Sequence, residues 1–335
     1  MADSRQQPTP LRMGILGAAV IAPFALVNPA RTMDDVAVTA IAARDPARAQ
    51  TFAAKHGIPT VHAGYDALLA DPEIDAVYVP LPNNLHAAWS IKALEAGKHV
   101  LCEKPMAANG DEARAMARAA DATGLALIEA FHYRYHPLAV RAREIVRSGE
   151  LGAVQHIDAE FCTPSVRPHN IRFRYDLAGG ATMDLGCYAI DMIRFLSGEE
   201  LTVVDAQAKT ASPQIDRAMR ARFTLTSGAT AAMLVSMRSS CVLRALIRVV
   251  GERGTMTVIN MLLPHFLYHR LAVKTPDGSY AETFPKTSTY TYQLRAFVEH
   301  LRGGVPMSST VGEGVKNMAV IDAVYTAAGL QPRGT

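Results

Sequence analysis

The sequence predicts a two-domain α/β protein: a doubly wound parallel sheet, then an α+β domain with a large, mostly antiparallel sheet. Three observations carry this. The chain has 335 residues, 49% of them hydrophobic, enough for about two cores. Short apolar runs alternate with helical stretches as far as residue 131, the mark of βαβ units and a parallel sheet. Beyond about residue 150 the rhythm changes to β-type runs punctuated by Gly, Asn, Asp and Pro at hairpin-like spacing.

Residues 1–10, MADSRQQPTP, are polar and carry two prolines, so a short disordered tail is expected. RMGILG (12–17) is the first strand, and a helix follows with Pro23 in its first turn. VAVTAIAA (36–43) is a near-continuous apolar run, as in parallel strands covered on both faces. Asp45-Pro46 opens the next helix as N-cap and N1 proline. DAVYVPLP (75–82) is the fourth strand, and the helix after it ends at Gly97. HVLCEKP (99–105) is the fifth, Asn109 or Asp111 starts another helix, and LALIEAF (125–131) is the sixth. Residues 11–132 thus make the first domain and 133–335 the second. There, one helix-like segment near 180–197 precedes the β runs LTVVDAQAK, ARFTLTS, TAAMLVSM, LRALIRVVG, TMTVIN and FLYHRLAV. A helical region from about Tyr290 closes the chain and is expected to pack back on the first domain.

Composition excludes several function classes. The net charge is +3 and no Lys/Arg run resembles a nucleic-acid arm or a membrane stripe. Cys102, Cys162, Cys187 and Cys241 form no CxxC pair, so no zinc knuckle or redox dithiol is expected and no metal is assigned. The N-terminus lacks an apolar signal region, and Asp184, Asp191 and Arg194 interrupt the long apolar stretches. These features predict a cytoplasmic enzyme without a membrane span.

The turn after the first strand, Gly17-Ala18-Ala19-Val20-Ile21-Ala22, is a degenerate dinucleotide fingerprint. Gly17 keeps the tight turn, Ala22 is small enough for helix–strand packing, and Ala19 adds a methyl where a pyrophosphate approaches. Val20 and Ile21 open the helix whose N–H groups would face the phosphates. At the end of the second strand an NAD enzyme usually has an acid; this chain has Ala43-Arg44. Arg44, with Arg48 one turn on, suits a 2′-phosphate, and Asp45 is better explained as the N-cap. The expected cofactor is NADP, with NAD as the alternative.

Three further segments carry a family resemblance: Pro82-Asn83-Asn84-Leu85-His86, Glu103-Lys104-Pro105, and the Gly179–Asp191 stretch GGATMDLGCYAID. Together they resemble the Gfo/Idh/MocA oxidoreductases over nearly the whole chain, most closely the branch of dimeric dihydrodiol dehydrogenases, NADP-dependent xylose dehydrogenases and glucose–fructose oxidoreductase. The resemblance implies a Rossmann domain followed by an α+β domain whose open sheet face makes a homodimer or homotetramer. It places Lys104 beside the nicotinamide and the substrate, with Asp184 and Tyr188 as its partners, and Pro105 at a site where a cis peptide shapes the loop. Many members have His where this chain has Tyr188, which puts inositol-type specificity in doubt.

Oxidising a secondary alcohol requires a proton acceptor at the hydroxyl and a fixed cation for the developing charge. Tyr188 is the expected proton shuttle, its ordinary pKa of about 10 lowered by Lys104; Asp184, four residues earlier, would share its helical face. Pro82, Asn83 and His86 are expected to line the cofactor cleft, although His86 also reads as a satisfied buried histidine. Glu103 either fixes the nicotinamide ribose or holds its turn. Phe131, Arg134, Arg167, His169 and Arg172 are candidate substrate contacts. His132 and His136 are four apart, but no further ligand pattern supports a metal, so they read as cleft lining. The expected partner is a small sugar, polyol or cyclitol. The competing functions are a non-catalytic dinucleotide sensor and NAD-assisted redox-neutral glycoside cleavage.

Overall fold

A computed structural model describes residues 9–164, 170–240 and 243–334. The strands of the first sheet are β1 (Leu11–Leu16), β2 (Val36–Ala42), β3 (Thr60–Val61), β4 (Ala76–Val79), β5 (His99–Cys102) and β6 (Leu127–Glu129). They are all parallel, in the order β3-β2-β1-β4-β5-β6. The order reverses between β1 and β4, so the loops leaving the carboxyl ends of these strands open a crevice there. Between the strands run α1 (Asn28–Ala30), α2 (Pro46–His56), α3 (Tyr65–Leu69), α4 (Asn83–Glu95) and α5 (Gly110–Thr123). Local capping explains their limits. Asp45 accepts from the N–H groups of Ala47 and Arg48, Asn109 accepts from that of Glu112, and Gly57 and Gly124 end their helices in the left-handed region.

The first helix departs from expectation. The turn after β1 leads into a π-helical turn at Pro23–Val27 and only then into the short α1.

The second sheet comprises β7 (Val154–Pro164), β8 (Leu201–Ser212), β9 (Ile215–Leu225), β10 (Thr230–Ser239), β11 (Arg244–Gly251), β12 (Thr255–Ile259), β13 (Arg270–Thr275) and β14 (Gly278–Glu282). Its order is β14-β13-β12-β11-β7-β10-β9-β8, antiparallel except where β7 pairs with β10. The central strand β7, and α6 (Pro137–Arg147) before it, have no counterpart in the sequence reading. In β7, Asp158 and Glu160 interrupt the apolar pattern, and Glu160 is paired across the sheet with Arg244. The expected strand FLYHRLAV is half a loop. Asn260 donates to the carbonyls of Leu263 and Tyr268, which curls 260–269 and leaves Phe266, Leu267 and Tyr268 exposed ahead of β13.

A second π-helical turn, Thr182–Gly186, runs into α7 (Cys187–Ser197) against β7 and β10. The last helices return to the first domain. α8 (Thr289–Gly303) packs on the Pro23–Val27 turn and α1, and α9 (Val311–Ala327) packs on α5. Among the described residues no helix is long and apolar enough to cross a membrane.

The turn at Thr182 is tied down by Asp216 of β9, which is fully buried. Its carboxylate accepts from Thr182 N (2.7 Å), Thr182 Oγ1 (2.7 Å), Tyr325 Oη (3.0 Å) and Arg333 Nη2 (2.9 Å). Gly180 makes the approach possible: at φ +130° a Cβ there would lie 2.2 Å from Asp216 Oδ1. Removing one partner of a buried pair strands the other charge. Asp216→Ala should therefore lose about 3–5 kcal/mol of stability, and Asp216→Asn less, as read by denaturant unfolding.

Candidate active site

Each cofactor-facing position predicted from sequence leaves the carboxyl edge of the first sheet. Gly17 follows β1 with φ +109°, and a Cβ on it would meet Leu81 Cδ2 at 3.0 Å, so the turns after β1 and β4 nearly touch. Ala19 caps a tight turn by donating to the Gly17 carbonyl, at 2.9 Å. Among the described residues the N–H groups of Val20 and Ile21 find no protein acceptor, and Val20 is 85% exposed. This is a cradle of free donors suited to phosphate oxygens. Beyond β2, Ala43 is buried and Arg44 exposed, while Arg48 Nη2 reaches the Ala18 carbonyl at 3.2 Å. Arg44 and Arg48 thus flank the end of β2 while the intervening Asp45 carboxylate is engaged by the N–H groups of α2, and these residues would suit the 2′-phosphate of NADP.

Pro82 caps α4, and Asn83 Nδ2 donates to the Ala178 carbonyl (2.9 Å), joining this loop to the second domain. His86 is fully buried. Its ring nitrogens lie 2.8 Å from the carbonyls of Pro105 and Leu81, between the β4 and β5 loops; burial lowers its pKa to about 4, so the neutral ring donates its single N–H to one of the two. It has the buried environment of the plainer reading. Glu103 holds its turn: Oε1 accepts from Tyr78 Oη (2.6 Å) and Oε2 from Lys104 N (3.2 Å).

Lys104 follows β5, and its peptide bond to Pro105 is cis. Its ammonium donates to the Asp184 carbonyl (2.9 Å), lies 3.4 Å from Asp184 Oδ1, and sits 4.6 Å from the centroid of the Tyr188 ring. An ammonium has three donors, so one remains for a ligand oxygen. Burial opposes its charge, but Asp184 outweighs this and the Lys104 pKa stays above its ordinary value. Lys104 is thus a permanent cation. Burial also works against the Asp184 carboxylate, yet Lys104 and Arg172 hold its pKa below the ordinary value; Arg172 Nε donates to Asp184 Oδ2 at 2.8 Å.

Tyr188 overturns one expectation. Burial, with Tyr290 and Glu103 nearby, pushes its hydroxyl well above the ordinary range rather than below it. Lys104 lies over the ring face, a cation–π contact. The edges of Phe131, Tyr133 and Phe161 surround the ring at 5.5–6.3 Å. Tyr188 Oη meets His132 Nε2 at 3.3 Å, a partner that the sequence reading missed.

Two proposed substrate contacts are placed otherwise. Phe131 is buried behind Tyr188. Arg134 is 4% exposed and spent on Asp191, to which Nε donates at 2.9 Å, and on the Ser308 carbonyl. Tyr133 joins the same carboxylate. Arg167 and His169 lie outside the described residues, as do residues 1–8 of the expected tail and Cys241. His132 and His136 diverge: His136 accepts from Leu138 N to cap α6.

The Asp184 charge has a pH signature. A carboxyl whose folded pKa is depressed contributes stability that is present above its unfolded value and lost as pH falls through the folded one. The stability gap between the wild type and Asp184→Asn should thus be constant above about pH 5 and close progressively below the ordinary value of 3.8. Denaturant unfolding at a series of pH values measures it.

Comparison with known proteins agrees with this geometry. Residues 11–131 match the model of the Gfo/Idh/MocA oxidoreductase family with its NAD-binding Rossmann fold, and residues 139–257 match the C-terminal domain of that family. D-xylose 1-dehydrogenase (NADP(+)) 2 of Haloferax volcanii is 37% identical, over 95% of this chain and 97% of that one. A dTDP-3,4-didehydro-2,6-dideoxy-α-D-glucose 3-reductase of Streptomyces violaceoruber is 32% identical over 96% of each. Among solved structures, a 3-ketoreductase of Actinomadura kijaniata in complex with NADP and TDP-benzene superposes with a TM-score of 0.87 at 29% identity, covering 95% of this chain and 98% of that one. A crevice at the strand-order reversal, a lysine at its floor and both domain matches lead to one conclusion: this chain belongs to the Gfo/Idh/MocA oxidoreductase family.

Proposed function

We propose that this chain is an NADP-dependent oxidoreductase that acts on a secondary alcohol or ketone of a sugar or related diol. The observation that carries this reading is the convergence of Lys104, Asp184 and Tyr188 at the carboxyl edge of the parallel sheet. The xylose dehydrogenase and ketoreductase relatives support both the cofactor and the substrate class. A dinucleotide sensor has no use for a buried ammonium held beside a tyrosine hydroxyl.

Gly17, Ala19 and the free N–H groups of Val20 and Ile21 would hold the pyrophosphate, and Arg44 and Arg48 the 2′-phosphate. When bound, NADP supplies the hydride acceptor or donor. Lys104 offers its remaining N–H to the reacting oxygen and stabilises negative charge as it develops there. Asp184 keeps that ammonium charged and aimed, and Arg172 steadies Asp184 from the solvent side. Tyr188, un-ionised at neutral pH, gives its hydroxyl proton to the oxygen during reduction as it takes up another, and in oxidation accepts the substrate's proton as it passes its own on. A cytoplasmic location and a homo-oligomer joined through the open face of the second sheet complete the proposal.

A panel of D-xylose, D-glucose and a trans-dihydrodiol, followed at 340 nm with NADP and with NAD, tests the reading. Lys104→Ala should lower kcat/KM by roughly a hundredfold to a thousandfold, and turnover at the wild-type rate would exclude the mechanism. Arg44→Ala should raise the KM for NADP about tenfold or more, the loss of a charge-assisted hydrogen bond, while leaving that for NAD unchanged. Equal loss with both cofactors would reassign Arg44.

A further inference from the structure

Among the described residues the Tyr188 hydroxyl has a single hydrogen-bonding partner, His132 Nε2 at 3.3 Å. His132 opens the short helical turn after β6, at the same carboxyl edge as Lys104, and is 2% exposed. Its other nitrogen, Nδ1, lies 2.8 Å from Thr289 Oγ1. Thr289 is the first residue of α8 and fully buried; its backbone N–H donates to His265 Nδ1 at 3.4 Å, in the partly exposed 260–269 loop. The Tyr290 ring lies against the imidazole at 4.1 Å between centroids and fixes its plane.

We propose that His132 is a positioning residue for Tyr188: it orients the tyrosine hydroxyl through Nε2 and links it through Nδ1 to Thr289, forming a proton relay out of the site. This rests on the hydride-transfer function proposed above.

The charged and titratable groups facing His132 are Lys104 from the end of β5, His265 from its loop, Tyr188 from α7 and Tyr290 from α8. Burial, His265 and Lys104 all disfavour the imidazolium, so the ring is neutral. A neutral imidazole has one N–H and one lone pair, and its two tautomers polarise the relay in opposite directions. With Nδ1 protonated, Nε2 accepts from Tyr188. In oxidation the substrate hydroxyl proton then passes to Tyr188 Oη, the tyrosine proton to Nε2, and the Nδ1 proton to Thr289 Oγ1; because Thr289 is itself buried, its own proton is taken by a water molecule entering beside the partly exposed His265. Reduction runs the same transfers backwards with solvent water as the proton source, starting from Nε2 protonated. A tyrosine that does not ionise needs such a partner, because it takes one proton only as it gives another away.

A double-mutant cycle tests this with NADP and whichever panel substrate turns over fastest. His132→Asn keeps a polar group on the Thr289 side and removes the one facing Tyr188. It should lower kcat about tenfold to a hundredfold while leaving thermal stabilisation by NADP intact, and His132→Gln, whose amide reaches the Nε2 position, should recover part of the loss. In a Tyr188→Phe background His132→Asn should cost less than about threefold, because coupled residues are not additive. Thr289→Val, nearly isosteric, should lower kcat severalfold and reduce the solvent deuterium isotope effect, which keeps the relay testable if the histidine variants fold poorly. A wild-type kcat in both His132→Asn and Thr289→Val, or the full His132→Asn loss repeated without the Tyr188 hydroxyl, overturns the relay. Undiminished turnover in Tyr188→Phe alone instead overturns the role of the tyrosine on which the relay depends.

Discussion

The arrangement of the site depends on the buried Asp216 carboxylate. Four donors converge on it from a π-helical turn, a C-terminal helix and the residue Arg333. A charge so deep is tolerated only when its lone pairs are fully used. That requirement fixes where Thr182 begins its turn, and the turn fixes where Asp184 and Tyr188 point. Lys104 and Arg172 then hold Asp184 from the crevice side. The second sheet sets the geometry from behind.

The candidate site groups come from two domains and meet across one ion pair. Lys104 is brought by β5 of the parallel sheet, and Asp184 and Tyr188 by the segment anchored on the antiparallel one. His86 and Asn83 reinforce the junction, the first by lying between two crevice loops and the second by reaching the Ala178 carbonyl. The aromatic rings around Tyr188 exclude water from its ring, which explains both its resistance to ionisation and the strength of the cation held against it.

The doubly wound domain was legible because its strands are short apolar runs separated by capped helices, with Asp45 and Asn109 at the positions that local chemistry demands. Lys104, Asp184 and Tyr188 were legible because they lie in contiguous motifs. What escaped was non-local. Strand β7 carries charges whose partners lie on a neighbouring strand. Arg134 looks like a free cation until Asp191, 57 residues on, claims it. His132 finds Thr289 157 residues away, and only its spacing to His136 and its place after a strand marked it. The shift of the Tyr188 hydroxyl was misjudged because a motif conveys which charges are near but not how completely water is removed.

Arg333 lies two residues before the last position of the chain and is fully buried, with its guanidinium on Asp216 and its backbone carbonyl held by Asn109. Arg333 is therefore a structural plug. A truncation that removes Arg333 would take away the counter-charge of Asp216, on which the Thr182 turn is anchored, without touching any crevice residue. Gly334, next along, is already exposed, so the anchor is a single residue deep and the chain surfaces at once beyond it.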